Sequence, residues 1–268
     1  MRQRHFLAAA LLLTAGAWAG HADAAGADAA LRSAVAGSQR SPDLVRRDGV
    51  RHPVQELEFF GLRPDETVVE VWPAGGYWTE ILAPVLRARG TYDLALPPPK
   101  PGADPRDTPF ARKLAAQPAV YDKVIPTEAG AGHFEIAAPG SADLVLTFRN
   151  LHNWMAGGYA PQMLAAFYRV LKPGGTLGIE EHRGHREVAQ DPRAQDGYVR
   201  QDYATAMIEK AGFRLVGSSE MNANPKDSAN WPGGVWTLPP TLALDAKDRD
   251  RYLAIGEADN FVLKFRKP

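Results

Sequence analysis

Two short polar clusters, each placed directly after an apolar run, hold the side chains best suited to proton chemistry. The first is Arg149-Asn150-Leu151-His152-Asn153-Trp154, after Leu144-Val145-Leu146-Thr147-Phe148; the second is Glu181-His182-Arg183-Gly184-His185, after Thr176 to Glu180. An imidazole titrates near neutrality, so His152 is the first candidate for a general base and His182 its rival. Glu181, His182, His185 and His152 are also metal-ligand types, but their spacing matches no metal signature, and no metal is expected. A third group has a different chemistry. Val68-Val69-Glu70-Val71 ends in Trp72-Pro73-Ala74-Gly75-Gly76-Tyr77, an apolar run closing on an acid and a turn of small residues. Gly75 and Gly76 allow close approach to the backbone, the helix that follows offers free N–H groups, and Glu70 can accept from a ligand's amino group. Trp154, Trp231 and Trp236 could wall an aromatic pocket for a cation or a flat molecule.

The elements that must carry these residues alternate. Strands are expected at Thr67 to Val71, Thr91 to Leu96, Tyr121 to Pro126, Leu144 to Phe148, Thr176 to Glu180 and Phe213 to Gly217. Helices are expected from Ser41-Pro42, across Pro53 to Phe60 up to Gly61, and from Trp78 to Gly90, where Trp78, Ile81, Leu82, Val85 and Leu86 share a face and Pro84 kinks the run. A weak helix is expected over Phe110 to Ala116. Two further helical stripes are Leu164, Phe167, Tyr168, Leu171 and Tyr203, Ala206, Met207. Phe261-Val262-Leu263-Lys264-Phe265-Arg266 alternates with period two, which predicts an antiparallel strand with one wetter face. The pattern predicts an α/β, Rossmann-like, doubly wound, mostly parallel seven-stranded sheet with an antiparallel last strand. Residues 221–244, with Trp231-Pro232-Gly233-Gly234-Val235-Trp236, form a long insertion before that strand and read as a lid. Ligands of such sheets sit beyond the strand C-termini, where the loops after strands one, four and five converge.

Composition sets the address. Arg2, Arg4 and His5 precede an apolar run from Phe6 to Trp18, and Ala22-Asp23-Ala24 gives a small-x-small cleavage pattern. Residues 1–24 read as a secretory signal peptide, which places the chain in the periplasm with no membrane association after cleavage. Residues 25–40 read as a loose lead-in and 41–268 as one domain. There is no cysteine, so there are no disulfides. Acidic and basic residues number 31 each; with no long basic run, no nucleic-acid surface is expected and the partner is a small molecule.

With these residues in place, the chain resembles a class I S-adenosylmethionine-dependent methyltransferase, of an exported bacterial group predicted to be methyltransferases. The resemblance covers roughly Val54 to Pro268. It is carried by Val68 to Gly76, by Ser141 to Trp154, by Phe167-Tyr168-Arg169-Val170-Leu171-Lys172-Pro173-Gly174-Gly175-Thr176-Leu177, and by Glu209-Lys210-Ala211-Gly212-Phe213-Arg214-Leu215-Val216. It implies S-adenosylmethionine as cofactor, contacted by Glu70, Gly75, Gly76, Tyr77, Arg149 and Asn150, with His152 or His182 as the catalytic base. The chain departs from the family pattern in two places. The family's G-x-G-x-G reads here as Trp72-x-Ala74-x-Gly76, and the strand-two acid that grips the ribose is replaced by Leu96-Pro97. A ligand-binding protein that kept the fold without catalysis is the alternative.

Overall fold

A computed structural model describes residues 26–244 and 248–268. The expected signal peptide, residues 1–24, lies outside the described residues. Residues 26–35 form a helix, α1, where a loose lead-in was expected. Alanine is the strongest helix former, and Leu31 and Ala34 are buried, so packing holds what propensity starts.

Three short helices follow: α2 (Pro42–Val45), α3 (Asp48–Arg51) and α4 (Pro53–Phe60). Gly61, at φ 86°, closes α4 in the left-handed conformation that glycine adopts without strain. The αβ alternation then runs β1 (Thr67–Val71), α5 (Thr79–Leu86), β2 (Thr91–Leu96), α6 (Pro109–Ala116), α7 (Pro118–Tyr121), β3 (Val124–Glu128), β4 (Ala142–Phe148), α8 (Leu151–Gly157), α9 (Ala160–Val170), β5 (Leu171–His182), α10 (Gln201–Lys210) and β6 (Arg214–Ser219). A 3-10 turn at Gly234–Thr237 and α11 (Arg249–Ile255) precede β7 (Asn260–Arg266).

The sheet order is β3-β2-β1-β4-β5-β7-β6. β7 inserts antiparallel between β5 and β6, and every other pairing is parallel. This is the expected seven-stranded, doubly wound sheet. Alternation along β1 sends Val69 and Val71 to one face and Val68 to the other. Trp154, Leu164, Phe167 and Ile208 of α8 to α10 cover the first face; Leu31, Leu57, Phe60, Ile81 and Leu82 of α1, α4 and α5 cover the second. At Gly178 α4 packs close on the sheet, since a Cβ there would meet Phe60 of α4 and Leu146 of β4 at 2.7 Å.

Three details differ from the expectation. The strand foreseen from Tyr121 begins at Val124, because Pro118–Tyr121 closes a helical turn with Tyr121 buried. α10 buries Ala204 and Ile208 and packs Tyr203 and Met207 of the expected stripe against the core, but leaves Ala206 exposed. β7 has the expected direction but no wet face over most of its length, since Phe261 to Leu263 and Phe265 are all buried between the two helical layers.

Candidate functional site

The chain reverses its winding between β1 and β4, and the crevice beyond their C-terminal ends is where a sheet of this order binds ligands. A cavity of about 290 Å³ lies there. Its floor is Glu70, Ala74, Gly75, Phe148, Arg149, Asn150, His152 and His182, and its walls come from both outlying parts of the chain.

Glu70, at the end of β1, is fully buried. Its Oε2 accepts from Thr79 Oγ1 at 2.8 Å and from the Tyr92 hydroxyl. Oε1 has no partner among the described residues. Burial pushes the carboxyl up to about 7. The turn that follows takes left-handed backbone at Trp72 (φ 56°), Ala74 (φ 50°) and Gly76 (φ 83°), the three positions where the resembled family carries glycine. The backbone thus follows a glycine path with two residues that bear a Cβ, at a cost of order 1–2 kcal/mol each. A Cβ on Gly75 would meet no atom within 4 Å, so the turn is open to the cavity there.

Trp72 takes its side chain the other way, across the ends of β2 and β3. Its Nε1 donates to Ala129 O at 2.8 Å, and its ring stands edge-on to Trp154 at 5.8 Å. A Cβ added to Gly130 would meet Pro98 at 2.7 Å and the Trp72 ring at 3.6 Å. The indole therefore fills the space beyond β2, where Leu96-Pro97 supplies no acid. No residue of β2, β3 or the loops after them lines the cavity.

At the end of β4, Arg149 (φ 61°) donates from NH1 to Glu257 at 2.7 Å. Asn150 spends its amide nitrogen on Val71 O, Trp72 O and Thr147 Oγ1 at 3.1–3.2 Å, tying β4 to the β1 turn. His152 opens α8. Its backbone N–H donates to Glu181 Oε2 at 3.1 Å and its Nδ1 meets Glu181 Oε1 at 2.8 Å. With Nδ1–H given to the carboxylate, Nε2 keeps its lone pair. His182 has Nδ1 on Asn260 Oδ1 at 2.7 Å, and the two rings lie 5.4 Å apart. Burial, then the Arg149 charge and His152, hold His182 well below the usual imidazole range, so it is neutral near pH 7.

Among the described residues, His152, Glu181 and His182 bring ligand-type atoms within 4.8 Å of one another. Glu181 is already occupied, since its oxygens take three N–H groups from the two histidines. Arg149 adds positive charge beside them. The cluster reads as a hydrogen-bonded His–Glu pair with a second imidazole alongside, rather than as a cation site.

Val235, Trp236, Pro239, Pro240 and Thr241 cover the cavity from the 221–244 insertion. Trp236 stands 6.0 Å from the His152 ring, edge to face. Asp227 anchors the insertion through bonds from Tyr198 OH, Trp231 Nε1, Ala229 N and Asp259 N, all at 2.7–3.1 Å. On the opposite side Leu44, Arg47 and Arg51, from α2, α3 and the link between them, complete the wall.

Glu70, Gly75, Tyr77, Arg149, Asn150, His152 and His182 therefore all reach one cavity. Gly76 does not: a Cβ there would strike Phe110 at 2.4 Å, so its left-handed φ shapes the turn and its open side faces α6. His185 is exposed and bonds Ser228 O, away from the crevice. The N-terminal arginines escaped the sequence reading, although Arg46-Arg47-Asp48-Gly49-Val50-Arg51 is the densest basic stretch before β1.

No protein-family model matches the sequence, and no curated protein matches it at a significant level. Solved structures do match. An S-adenosylmethionine-dependent methyltransferase from Aquifex aeolicus superposes at TM-score 0.56 and 15% identity, over 85% of this chain and 94% of that one. An arsenic(III) S-adenosylmethionine methyltransferase from Chlamydomonas reinhardtii gives 0.52 and 16%, over 89% and 73%. The [4+2]-cyclase SpnF gives 0.53 and 15%, over 81% and 82%. The chain has the class I methyltransferase-like fold. A cyclase on the same fold shows that the reaction must be argued from the site.

Proposed function

We propose that this chain transfers a methyl group from S-adenosylmethionine to a small-molecule acceptor in the periplasm. The observation that carries the reading is the convergence, on one covered crevice at the switch point, of the Glu70–Gly75 turn with the His152–Glu181 pair. The residues fit the amino-acid end of that cofactor. Glu70 has a buried oxygen without a partner among the described residues, which matches an ammonium group, and the open side of Gly75 admits a chain against the backbone. When bound, the cofactor supplies an electrophilic methyl on sulfur. The protein's part is to align the acceptor and take its proton. His152 Nε2 is the acceptor of that proton, with Glu181 fixing the ring and stabilising the imidazolium. Trp236 and the prolines beside it exclude water. The periplasmic address rests on residues 1–24, and an exported product that starts at or near Ala25 is its check.

One observation favours the second reading, a binding protein without catalysis. The Trp72 indole lies across the ends of β2 and β3, on the side where the resembled family holds the nucleoside. Calorimetric titration tests both readings. We expect S-adenosylmethionine and S-adenosylhomocysteine to bind more weakly than about 1 μM, that is, less than about 8 kcal/mol. Trp72→Gly clears the indole and relieves its left-handed φ, and should tighten both by about tenfold or more. If neither compound binds either protein at millimolar concentration, methyl transfer from this cofactor is ruled out and the binding reading stands.

A further inference from the structure

We infer that the crevice is an anion site, with the Arg51 guanidinium as its primary contact and a carboxylate as the group it takes. Arg51 is only 4% exposed, yet its buried Nε has no hydrogen-bond acceptor among the described residues. Its nearest carboxylate, Glu257 Oε2, is 3.6 Å from Nε, past bonding distance. A buried guanidinium with unmatched donors is costly unless something anionic meets it. The geometry is fixed in advance. Arg51 Cζ lies over the Tyr77 ring, 4.6 Å from its centroid. The Tyr77 hydroxyl donates to Asp48 Oδ1 at 2.6 Å, and Arg40 holds that same carboxylate through two bonds at 2.6 and 2.8 Å. A guanidinium stacked on an aromatic face keeps its edge free for the two parallel bonds a carboxylate accepts.

The surrounding charge points the same way. Three guanidinium groups, Arg47, Arg51 and Arg149, line the cavity. Behind them Glu257 alone takes two bonds from Arg47, at 2.5 and 2.8 Å, and one from Arg149 at 2.7 Å. Burial works against the Glu257 charge, but the bonds from Arg47 and the charge of Arg149 hold it below the usual carboxylate range. Glu180 Oε2 stands 3.9 Å from Arg149 Nε, and burial pushes that carboxyl up to about 7. The one carboxyl in the cavity lining, Glu70, is raised likewise. With the Glu257 and Glu181 carboxylates set against three guanidinium groups, the crevice keeps a positive charge for an added anion.

Two sources carry this chemistry: the amino-acid carboxylate of an S-adenosyl compound, which rests on the methyl-transfer reading, or an acid group on the acceptor. Titration of the full chain with benzoate, S-adenosylhomocysteine and decarboxylated S-adenosylhomocysteine separates them. Arg51→Met and the charge-keeping Arg51→Lys are run alongside, with thermal melts to show that each is folded. Wild-type protein should bind benzoate with an affinity that falls as salt rises, Arg51→Met should lose at least tenfold, and Arg51→Lys should retain part of it. If S-adenosylhomocysteine binds at least tenfold tighter than its decarboxylated form, and that gap closes in Arg51→Met, the carboxylate comes from the cofactor. If the two bind alike and benzoate binds together with them, it comes from the acceptor. If benzoate binds and neither adenosyl compound does, the anion site holds while the methyl-transfer reading fails. Failure of wild-type protein to bind any of the three acids or analogues, or equal binding by wild type and Arg51→Met, overturns the inference.

Discussion

Replacing His152 by alanine lowers turnover by about 10²–10⁴-fold, the usual range for loss of a general base, and leaves ligand affinity within a few fold. The expectation follows from the geometry. The His152 ring is held by Glu181 Oε1 at 2.8 Å, so its other nitrogen is the free basic atom of a residue that lines the crevice. Glu181→Gln should cost less than His152→Ala, because the amide oxygen still accepts from Nδ1–H but no longer stabilises the imidazolium. His182 is neutral and bonded to Asn260, so His182→Ala should change rate mainly by loosening its neighbour. Full activity in His152→Ala together with its loss in His182→Ala would move the base to the end of β5. Steady-state rates with any acceptor found for the protein make this measurement.

The second large effect is on stability. The fold should lose stability as pH rises from about 5 to about 8, the reverse of the common acid-denaturation trend, because three raised carboxyls outweigh the opposite contribution of the depressed His182 imidazole. Glu56 and Glu180 are both fully buried, and Asn222 Nδ2 bridges them at 2.6 and 3.1 Å. Burial raises both, with each other's charge adding to Glu56 and the Arg149 charge partly opposing the rise in Glu180. Glu70 is raised by burial as well. These carboxyls hold protons more tightly folded than unfolded. Their contribution is present in full below about pH 4.5 and is lost as pH climbs to about 7 and beyond. A shift from 4.5 to about 7, as for Glu180 and Glu70, corresponds to at most about 3 kcal/mol per group. A loss of that size lowers the melting temperature by roughly 2–4 °C for each kcal/mol in a chain of this size. Thermal melts across pH 5–8 read it directly. Glu56→Gln, which cannot ionise, should flatten the slope; a wild-type melting temperature that rises over the same interval would refute the assignment.

The sheet was legible because its strands are short apolar runs at regular spacing, and the direction of β7 because Lys264 and Arg266 interrupt its apolar residues. What periodicity could not show was cover. β7 lies between two helical layers, and that depends in part on α4, which is far away in sequence. The crevice was legible where chemistry sits next to a strand end, as at Glu70, Arg149, His152 and His182. It was illegible where a residue's neighbours come from elsewhere. Gly76 carried the family's glycine position but opens toward Phe110, a contact no local pattern encodes. Arg47 and Arg51 precede every strand, and nothing in their spacing says that they return to the crevice beyond the ends of β1 and β4.

The bonds from Arg47 to Glu257 join positions 210 residues apart, and Arg149 meets the same carboxylate across 108. Contacts of that span carry a large loop-closure entropy, which the rest of the fold lowers by bringing their ends together. The crevice is therefore completed only when the segment before β1 and the segment before β7 have both docked. A ligand held there would bind the finished fold and nothing less, and by mass action would protect both ends of the chain against opening.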